Sequence, residues 1–313
     1  MIIKPKNVIW ALSAFVLLSL TSSVMAQSGF EKKVESLFVI ASSGEVKYRD
    51  MVQPAIDSIA SMGVDAVPIL VEKFTTKSAR ERLTIINILK KIGSPAVPYL
   101  IKSLRNPVGL VVQRVCWALG DIADTSAVEA LITVTGHQRW QVRDQALGAL
   151  GDIADRRAIE VVISGFTDSI GQVRKAASVA AGKIGINNAV EQLVHILGDE
   201  FYGARMSALE ALLKMDTVLV INTLADSMSS GNPFVGSLAC YILGEIGSDR
   251  AVEILLEQTK NANPAQRAHA AIAIMKADPK NNCGFQDTIL LNENDRLTRL
   301  KIESAITATE NAR

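Results

Sequence analysis

The stretch ALGALGDIADRRAIEVVISGFTDSIGQVRKAASVAAGKIG, residues 146–185, contains one complete structural unit and the beginning of its copy. Its glycine and arginine positions recur along the chain every 31 residues or at a multiple of that spacing. The glycines are Gly120, Gly151, Gly182 and Gly244, with Leu213 at the missing step, and the arginines are Arg143, Arg174, Arg205 and Arg267. A fixed period between about 20 and 50 residues is the sequence signature of a solenoid or array.

Each unit has the pattern of two short helices joined by a polar turn. First helices follow an Ala-Val or Ala-Ile step, as in AVEALITV (127–134), and the turns carry the Gly, Asn, Asp and Pro typical of helix breaks. In the second helices, apolar positions such as 115, 118, 119 and 122 predict one buried stripe. The stripe contains a column of mostly small side chains: Val115, Ala146, Ala177, Ala208, Ala239 and Ala270. We expect this column to let neighbouring helices approach closely.

The first 26 residues have the pattern of a secretory signal. Lys4 and Lys6 precede the apolar run VIWALSAFVLLSL (8–20), and the small residues of a cleavage site end at Ala26. The 13-residue run is shorter than the roughly 20 apolar residues that span a bilayer, although an uncleaved anchor is the alternative. We therefore expect a mature chain that begins at Gln27, is periplasmic or extracellular, and has no membrane span after cleavage.

The repeated units resemble a known family. Their form, A-L-G-x-I…A-V-x-x-L…V-R-x-x-A, is similar to the short HEAT-like repeats of the phycobilisome-lyase type over roughly residues 45–278. Together with the period, the resemblance implies an all-α fold, a right-handed α-solenoid of about seven helix-pair repeats of 30–31 residues. We expect residues 27–278 to form this solenoid and residues 279–313 to form a C-terminal capping helix or tail.

The Val-Arg step of the repeat is lost at Val235-Gly236, and Leu213 replaces the repeat glycine. The unit around residues 213–236 is therefore predicted to be the weakest of the array. A bend in the array or a contact with a partner is expected there.

The arginines and aspartates of the repeat form a predicted structural ladder. Asp168 precedes Arg174 by six residues, and Asp199 precedes Arg205 by six. A charged binding strip is the alternative, but a planar guanidinium with five donors suits repeated bridging between acids and carbonyls of adjacent units. The predicted members are Arg143, Arg174, Arg205, Arg267, Asp168 and Asp199.

The charge balance argues against nucleic acid as a partner. Removal of residues 1–26 takes away two lysines and leaves 31 basic against 32 acidic residues, whereas phosphate binding requires a basic surface. Cys116 and Cys240 are 124 residues apart, which is four periods and far beyond the reach of a disulfide. Both are expected to fill the core, and Cys283, beyond the last clear repeat, is a candidate free thiol.

No residue pattern predicts catalysis, a cofactor or a metal site. His137, His195 and His269 share no repeat register and form none of the paired His-Glu steps that a di-iron hydroxylase of similar architecture carries. The chain also has no Gly-x-Ser-x-Gly motif for a nucleophilic serine. We therefore expect no enzyme activity and no catalytic, cofactor-binding or metal-binding residues.

One column of the second helices is predicted to point away from the apolar stripe. At 100° per residue, position 117 lies about 150° from the centre of the stripe. The column contains Trp117, Gly148, Val179, Glu210, Tyr241 and Ile272. Large apolar side chains on a solvated face predict partner recognition by Trp117, Val179, Tyr241 and Ile272, with Trp140 and Tyr202 at the turn edge as a second site. Burial under neighbouring helices or under the amino-terminal lead is the alternative.

Three functions are consistent with these features. The first is an exported, non-catalytic scaffold that binds unidentified protein partners along the concave face formed by the second helices. The second, implied only by the resemblance, is a chromophore-lyase-like protein or its non-catalytic subunit, and the export signal counts against it. The third is a HEAT-like DNA glycosylase, which the near-neutral charge and the signal both oppose.

Overall fold

A computed structural model of the chain describes residues 27–228, 231–277, 290 and 293–311. The predicted signal, residues 1–26, and Cys283 lie outside the described residues, as does part of the predicted C-terminal segment. Every described element is helical. The chain separates into two compact units, Met1–Ala127 and Val128–Arg313.

The first unit begins with a helix over residues 27–41, α1. The helices that follow are α2 (Val52–Ser61), α3 (Val67–Glu72), α4 (Ala79–Ile92), α5 (Val97–Ser103) and α6 (Gly109–Ile122). Helix α4 packs between α2 and α6, while α5 packs against α3 and α6. The prolines of α3 and α5 lie in the first turn, where a missing N–H breaks no helical hydrogen bond.

In the residues that the structure describes, the second unit has five further helix pairs and a last helix. The helices are α7 (Val128–Val134), α8 (Trp140–Ile153), α9 (Ile159–Gly165), α10 (Gly171–Ile184), α11 (Val190–Ile196), α12 (Tyr202–Leu212), α13 (Thr217–Ser227), α14 (Pro233–Ile246), α15 (Asp249–Gln258), α16 (Pro264–Ala277) and α17 (Arg296–Asn311). Helices α3 to α16 make seven pairs in the described residues. The predicted all-α solenoid fold of about seven helix pairs is confirmed.

Successive second helices of the second unit pack through the small residues of the repeat. A Cβ added at Gly151 would lie 2.8 Å from Ala180 Cα, and one added at Gly182 would lie 2.9 Å from Ala211 Cα. Gly244 approaches Ala273 in the same way. The alanines of the predicted small-residue column are completely buried beside these contacts. The repeat glycine is therefore the point where one second helix rests on the next.

The stacking of second helices changes between α12 and α14. Helix α12 packs extensively on α10 but contacts α14 much less. The change coincides with Leu213, which stands at the repeat-glycine position, and with Ile242, which stands 31 residues after Ala211. Two large side chains thus replace the small pair that permits close approach in the neighbouring repeats.

The last helix covers the apolar surface of α16. Ile302 of α17 is buried against Ala268, Ala271 and Met275, and Thr298 Oγ1 donates to Pro264 O at 3.2 Å. Leu290, before α17, packs on the same cluster, so α17 and Leu290 together cover the end of the last helix pair, as the ends of repeat arrays require.

Candidate functional site

Three arginines of the second helices each bind a carboxylate that comes later in the chain. In two cases the carboxylate lies in the turn after the first helix of the next pair. In the third case it lies just before α17. Their Nε and Nη2 atoms donate to the two oxygens of one carboxylate at 2.5–2.8 Å. The pairs are Arg143 with Asp168, Arg174 with Asp199, and Arg267 with Glu293. This bidentate geometry uses the planar fork of arginine, which lysine cannot reproduce.

The remaining guanidinium nitrogen of each arginine, Nη1, fixes the guanidinium to the turn before its own helix. Arg143 Nη1 donates to His137 O at 2.9 Å and to Gln138 O at 3.2 Å. Arg267 Nη1 makes the same two contacts, with Asn261 O at 2.9 Å and Ala262 O at 3.1 Å. Each arginine therefore ties two turns together.

The carboxylates also organise their own turns. Asp168 Oδ1 accepts a hydrogen bond from Ile170 N–H at 2.9 Å, and Asp199 Oδ1 accepts one from Phe201 N–H at 2.7 Å. Burial raises the pKa of Asp199, but hydrogen bonds from Arg174 and Phe201 outweigh it, so the pKa lies below its usual value. The charged form of this aspartate is the form that the fold stabilises.

The partners differ from those that the sequence register suggests. The register associates Asp168 with Arg174, six residues later, but Arg174 Nη1 binds the main-chain carbonyl of Asp168, at 2.7 Å. The carboxylate of Asp168 binds Arg143, 25 residues earlier. A spacing of 25 residues between arginine and aspartate occurs twice in the sequence and could have indicated these two pairs. It does not indicate the third pair, because Glu293 lies 26 residues after Arg267.

Arg205 is the predicted ladder residue that holds no carboxylate. Its Nη1 donates to Asp199 O at 2.7 Å and to Glu200 O at 3.2 Å, as in the other arginines. Within the residues that the structure describes, no carboxylate lies within 4.0 Å of this guanidinium. Its carbon lies 4.1 Å from the ring centroid of Phe234 and 5.5 Å from that of Tyr202. The ladder is therefore interrupted at this repeat by an arginine–aromatic cluster.

The predicted outward column is only partly exposed. Trp117, in the first unit, and Val179, in the second, are half-buried. Tyr241 and Ile272 are 46% and 36% exposed, on helices α14 and α16, which pack together. Glu210 of the same column is also exposed. In the second unit, the apolar part of the column is therefore concentrated on α14 and α16.

Polar neighbours surround Tyr241 on this face. The neighbouring carboxylate of Glu245 raises the pKa of Tyr241. The ammonium group of Lys276 lies 5.1 Å from the ring centroid and forms an ion pair with Glu245. Lys183 and Asp152 form the equivalent pair between α10 and α8. The aromatic ring is therefore held by a small charged network.

The two turn-edge aromatics differ in exposure. Trp140, the first residue of α8, is half-buried. Tyr202, the first residue of α12, is 65% exposed and belongs to the cluster around Arg205. The structure thus places Tyr202 beside Phe234, a residue that the sequence argument did not select.

Arg114 is a further structural arginine that the repeat register did not indicate. It lies two residues after the ladder position of its helix and is buried in the first unit. Its Nη1 donates to the carbonyls of Phe74 and Thr76, the latter at 2.8 Å. Burial lowers the pKa of this guanidinium. The surrounding sequence, VVQRVCW, is mostly apolar, and nothing in it predicted that Arg114 would be buried.

The described residues offer little of the chemistry that catalysis uses. No group of three or more His, Cys, Asp or Glu side chains in the described ranges could hold a metal ion. Cys116 and Cys240 are buried free thiols, and burial raises the pKa of each to about 12. A thiol with so high a pKa is a poor nucleophile.

None of the described helices is by itself both long and apolar enough to cross a membrane. Val46–Ser61 and Gly63–Thr75 reach the necessary hydropathy only as a pair, and they meet at a bend of 110°.

Solved structures of similar fold were found at low sequence identity. The Escherichia coli protein YibA is 17% identical, with 86% of this chain and 98% of that chain covered, and a TM-score of 0.51. A Kap95:Nup1 complex contains a chain that is 14% identical, with 88% of this chain and 46% of that chain covered, and a TM-score of 0.53. Human deoxyhypusine hydroxylase is 18% identical over 81% of this chain, but its TM-score of 0.35 supports no argument. These likenesses show the fold alone.

No curated protein sequence matches this chain. The sequence profile of HEAT repeats matches residues 104–181 and 190–276, which together make up more than half of the chain. These ranges contain the ladder residues Arg143, Arg174, Arg205, Arg267, Asp168 and Asp199. The chain therefore belongs to the HEAT-repeat family.

Proposed function

We propose that this protein is an exported, non-catalytic scaffold that binds other proteins through the exposed face of its second helices. The observation that carries the proposal is the exposure of Tyr241 and Ile272 on adjacent helices. Aromatic side chains supply a large contact area at low conformational cost and are enriched among binding anchors. A HEAT-repeat array presents such residues on a rigid, extended surface.

The chemistry of this face suits a protein partner. Tyr241 presents its ring beside the ion pair of Glu245 and Lys276, so an apolar anchor is flanked by both signs of charge. Protein interfaces commonly combine an apolar centre with a polar rim. The near-neutral composition of the chain gives no general attraction for the phosphates of nucleic acid.

The non-catalytic part of the proposal is supported by the side chains of the described residues. Three shielded carboxylates, Asp168, Asp199 and Glu293, are held by arginines within the ladder. The buried thiols have raised pKa values. Groups used in this way have structural roles and are not available as acids, bases or nucleophiles.

The exported part of the proposal is supported by the sequence of residues 1–26. Its test is mass spectrometry of the protein recovered from cell fractions. A chain that begins at Gln27 outside the cytoplasm is the expected result. Recovery of the intact Met1 chain from the cytosol alone would contradict export while leaving partner binding untouched.

The binding face is tested by a double substitution in the second unit, Tyr241→Ala with Ile272→Ala. Proteins cross-linked to the wild type in envelope extract are identified, and the same bands are quantified for the variant. We expect at least a tenfold loss of those bands with an unchanged thermal melt. Trp117→Ala, in the first unit, is measured separately.

The matched control is Leu219→Ala with Leu256→Ala. These exposed leucines lie on the first helices α13 and α15, away from the proposed face. The control is expected to retain the cross-linked bands. Two outcomes would mean that Tyr241 and Ile272 have a structural role only. One is an equal loss of cross-linked bands in both double variants, and the other is a large drop in the melting temperature of the Tyr241→Ala, Ile272→Ala variant.

A further inference from the structure

Arg205 has the same orientation as the arginines that hold carboxylates. Its Nη1 donates to the carbonyls six and five residues before it, at 2.7 and 3.2 Å. Arg143 makes the corresponding contacts at 2.9 and 3.2 Å, and Arg267 makes them at 2.9 and 3.1 Å. In those two residues the opposite edge, Nε and Nη2, binds both oxygens of a carboxylate. The Nε and Nη2 edge of Arg205 is therefore already oriented to bind a carboxylate.

The chain does not supply this carboxylate where the repeat would place it. The aspartates of the ladder lie 25 residues after their arginines, and the residue 25 positions after Arg205 is Ser230. Glu200, five residues before Arg205, has a 93% exposed side chain that lies 3.9 Å from Arg174 Nη2. Where the arginine itself is lost, at Gly236, the position 25 residues later is Asn261, so both partners are absent together. Arg205 alone keeps the arginine without the acid.

In the part of the chain that the structure describes, aromatic rings lie on the face of the guanidinium, and its Nε and Nη2 edge has no hydrogen-bond partner. Phe234 lies 4.1 Å from the guanidinium carbon and is 47% exposed, and Tyr202 lies 5.5 Å away and is 65% exposed. Stacking on the face of arginine is compatible with bidentate hydrogen bonds in its plane. The stack also limits side-chain motion, so that less conformational entropy is lost when a ligand binds.

We propose that Arg205, Phe234 and Tyr202 form a recognition site for an acidic side chain of a partner protein, with an apolar residue next to it. The Asp or Glu carboxylate binds Nε and Nη2 of Arg205 as Asp168 binds Arg143. The neighbouring apolar residue packs on the exposed rings of Phe234 and Tyr202. This inference rests on the proposed scaffold function and names the chemistry of one partner contact.

The site lies at the interrupted stacking of α12 and α14. Tyr202 and Arg205 belong to α12, and Phe234 belongs to α14. A partner bound to all three residues spans two second helices that otherwise contact each other little. Binding is therefore expected to reinforce the second unit where the stacking of its second helices is weakest.

Peptides that bind the wild-type protein are selected from a display library of random twelve-residue peptides, and a separate selection is made with the Arg205→Gln variant. We expect the wild type to enrich peptides with Asp or Glu next to an aromatic or aliphatic residue, and the variant to lose them. The best peptide is then synthesised with its acid as Asp and as Asn. The Asp peptide should bind the wild type at least tenfold more tightly than the Asn peptide, and Arg205→Gln should remove that difference.

Arg156→Gln is the matched control, since it removes the same charge from an exposed position in the second unit. It should leave affinity for the Asp peptide within twofold of the wild type. An equal loss in Arg156→Gln, or enriched peptides that bind Arg205→Gln unchanged, would overturn the proposal. Peptides that depend on Tyr241 and Ile272 but not on Arg205 would overturn this site and leave the scaffold function standing.

A second measurement covers the case in which Arg205→Gln fails to fold. The NMR signal of Arg205 Nε–H is followed in the wild type as each synthetic peptide is added. The Asp peptide should shift this signal and leave that of Arg174 unchanged, because Asp199 already occupies the edge of Arg174. A shift that is equal for the Asp and Asn peptides, or absent for both, contradicts the site.

Discussion

Arg174 and Asp199 are 25 residues apart and form a bidentate ion pair, with Nε–Oδ2 at 2.5 Å and Nη2–Oδ1 at 2.8 Å. The side chains are 12% and 5% exposed, so most of this pair is shielded from water. Arg174 also binds the carbonyl of Asp168. One side chain therefore satisfies acceptors in two turns, and its removal would leave both without their partner.

Arg174→Ala should destabilise the protein by about 1–3 kcal/mol, because it leaves shielded acceptors in two turns unpaired. The change is measured by urea unfolding at neutral pH. Arg156→Ala is the control, since Arg156 is exposed in an inter-repeat turn, and it should cost within about 0.5 kcal/mol. Coincident unfolding curves for the two variants would show that the ladder contributes nothing to stability.

Asp199→Asn should remove a contribution to stability that the wild type has at neutral pH and loses on acidification. The folded pKa of Asp199 lies below its usual value, because the hydrogen bonds from Arg174 and Phe201 outweigh the effect of burial. Its contribution is therefore fully present above the unfolded pKa of about 4 and is lost as the pH falls through the lower folded pKa.

The measurement is the free energy of unfolding of the wild type and of Asp199→Asn between pH 7 and pH 3. The difference should be constant from about pH 5 to 7 and should shrink below about pH 4. Glu191→Gln, an exposed change on α11, serves as the control for a removed carboxylate. A difference between wild type and Asp199→Asn that grows on acidification has the wrong sign for this account.

The period of 31 residues was sufficient to predict the helix pairs, because every repeat places its apolar residues on the same faces. The same register predicted the weak unit, since Leu213 is a large residue at a position of close helix contact. The register alone did not predict how much the contact between α12 and α14 is reduced. The reduction depends on the residues of both helices, including Ile242, which has the sequence pattern of an ordinary core residue.

The candidate site was less predictable than the fold. The arginines were selected correctly as a set, but an arginine side chain reaches several residues and its partner cannot be chosen from register alone. Phe234 stands where the preceding repeat has Gly203, so no column of aromatic residues pointed to it. Its contact with Arg205 arises only because two successive second helices bring these positions together.

Gly151→Ala and Gly148→Ala should have opposite effects, although both glycines lie within α8. A Cβ at position 151 would meet Ala180 Cα at 2.8 Å, and this main-chain atom cannot move without shifting α10. We expect a loss of about 1–3 kcal/mol from such overpacking. A Cβ at position 148 has no other atom within 4 Å, so the gain in helix propensity should stabilise by up to about 1 kcal/mol.

Both glycine variants are measured by thermal and urea unfolding. Gly148→Ala acts as the control for helix propensity, because it makes the same chemical change three residues away. Equal stabilisation by the two alanines would mean that α8 and α10 are not in close contact at the repeat glycine.

Ile302→Ala should loosen the last helix and expose the end of the array. Ile302 is 1% exposed and packs on Ala268, Ala271 and Met275 of α16. Truncation of a buried isoleucine costs about 2–5 kcal/mol where the cavity cannot close.

Because stability in repeat arrays is built from neighbouring contacts, the effect of Ile302→Ala should be largest in α16 and α17 and should decline toward α8. Hydrogen exchange of the backbone amides measures this gradient. Leu300→Ala, at an exposed position of the same helix, should leave the exchange of α16 unchanged. Equally faster exchange of α16 in both variants would mean that the Ile302 contact is not what holds α17 on α16.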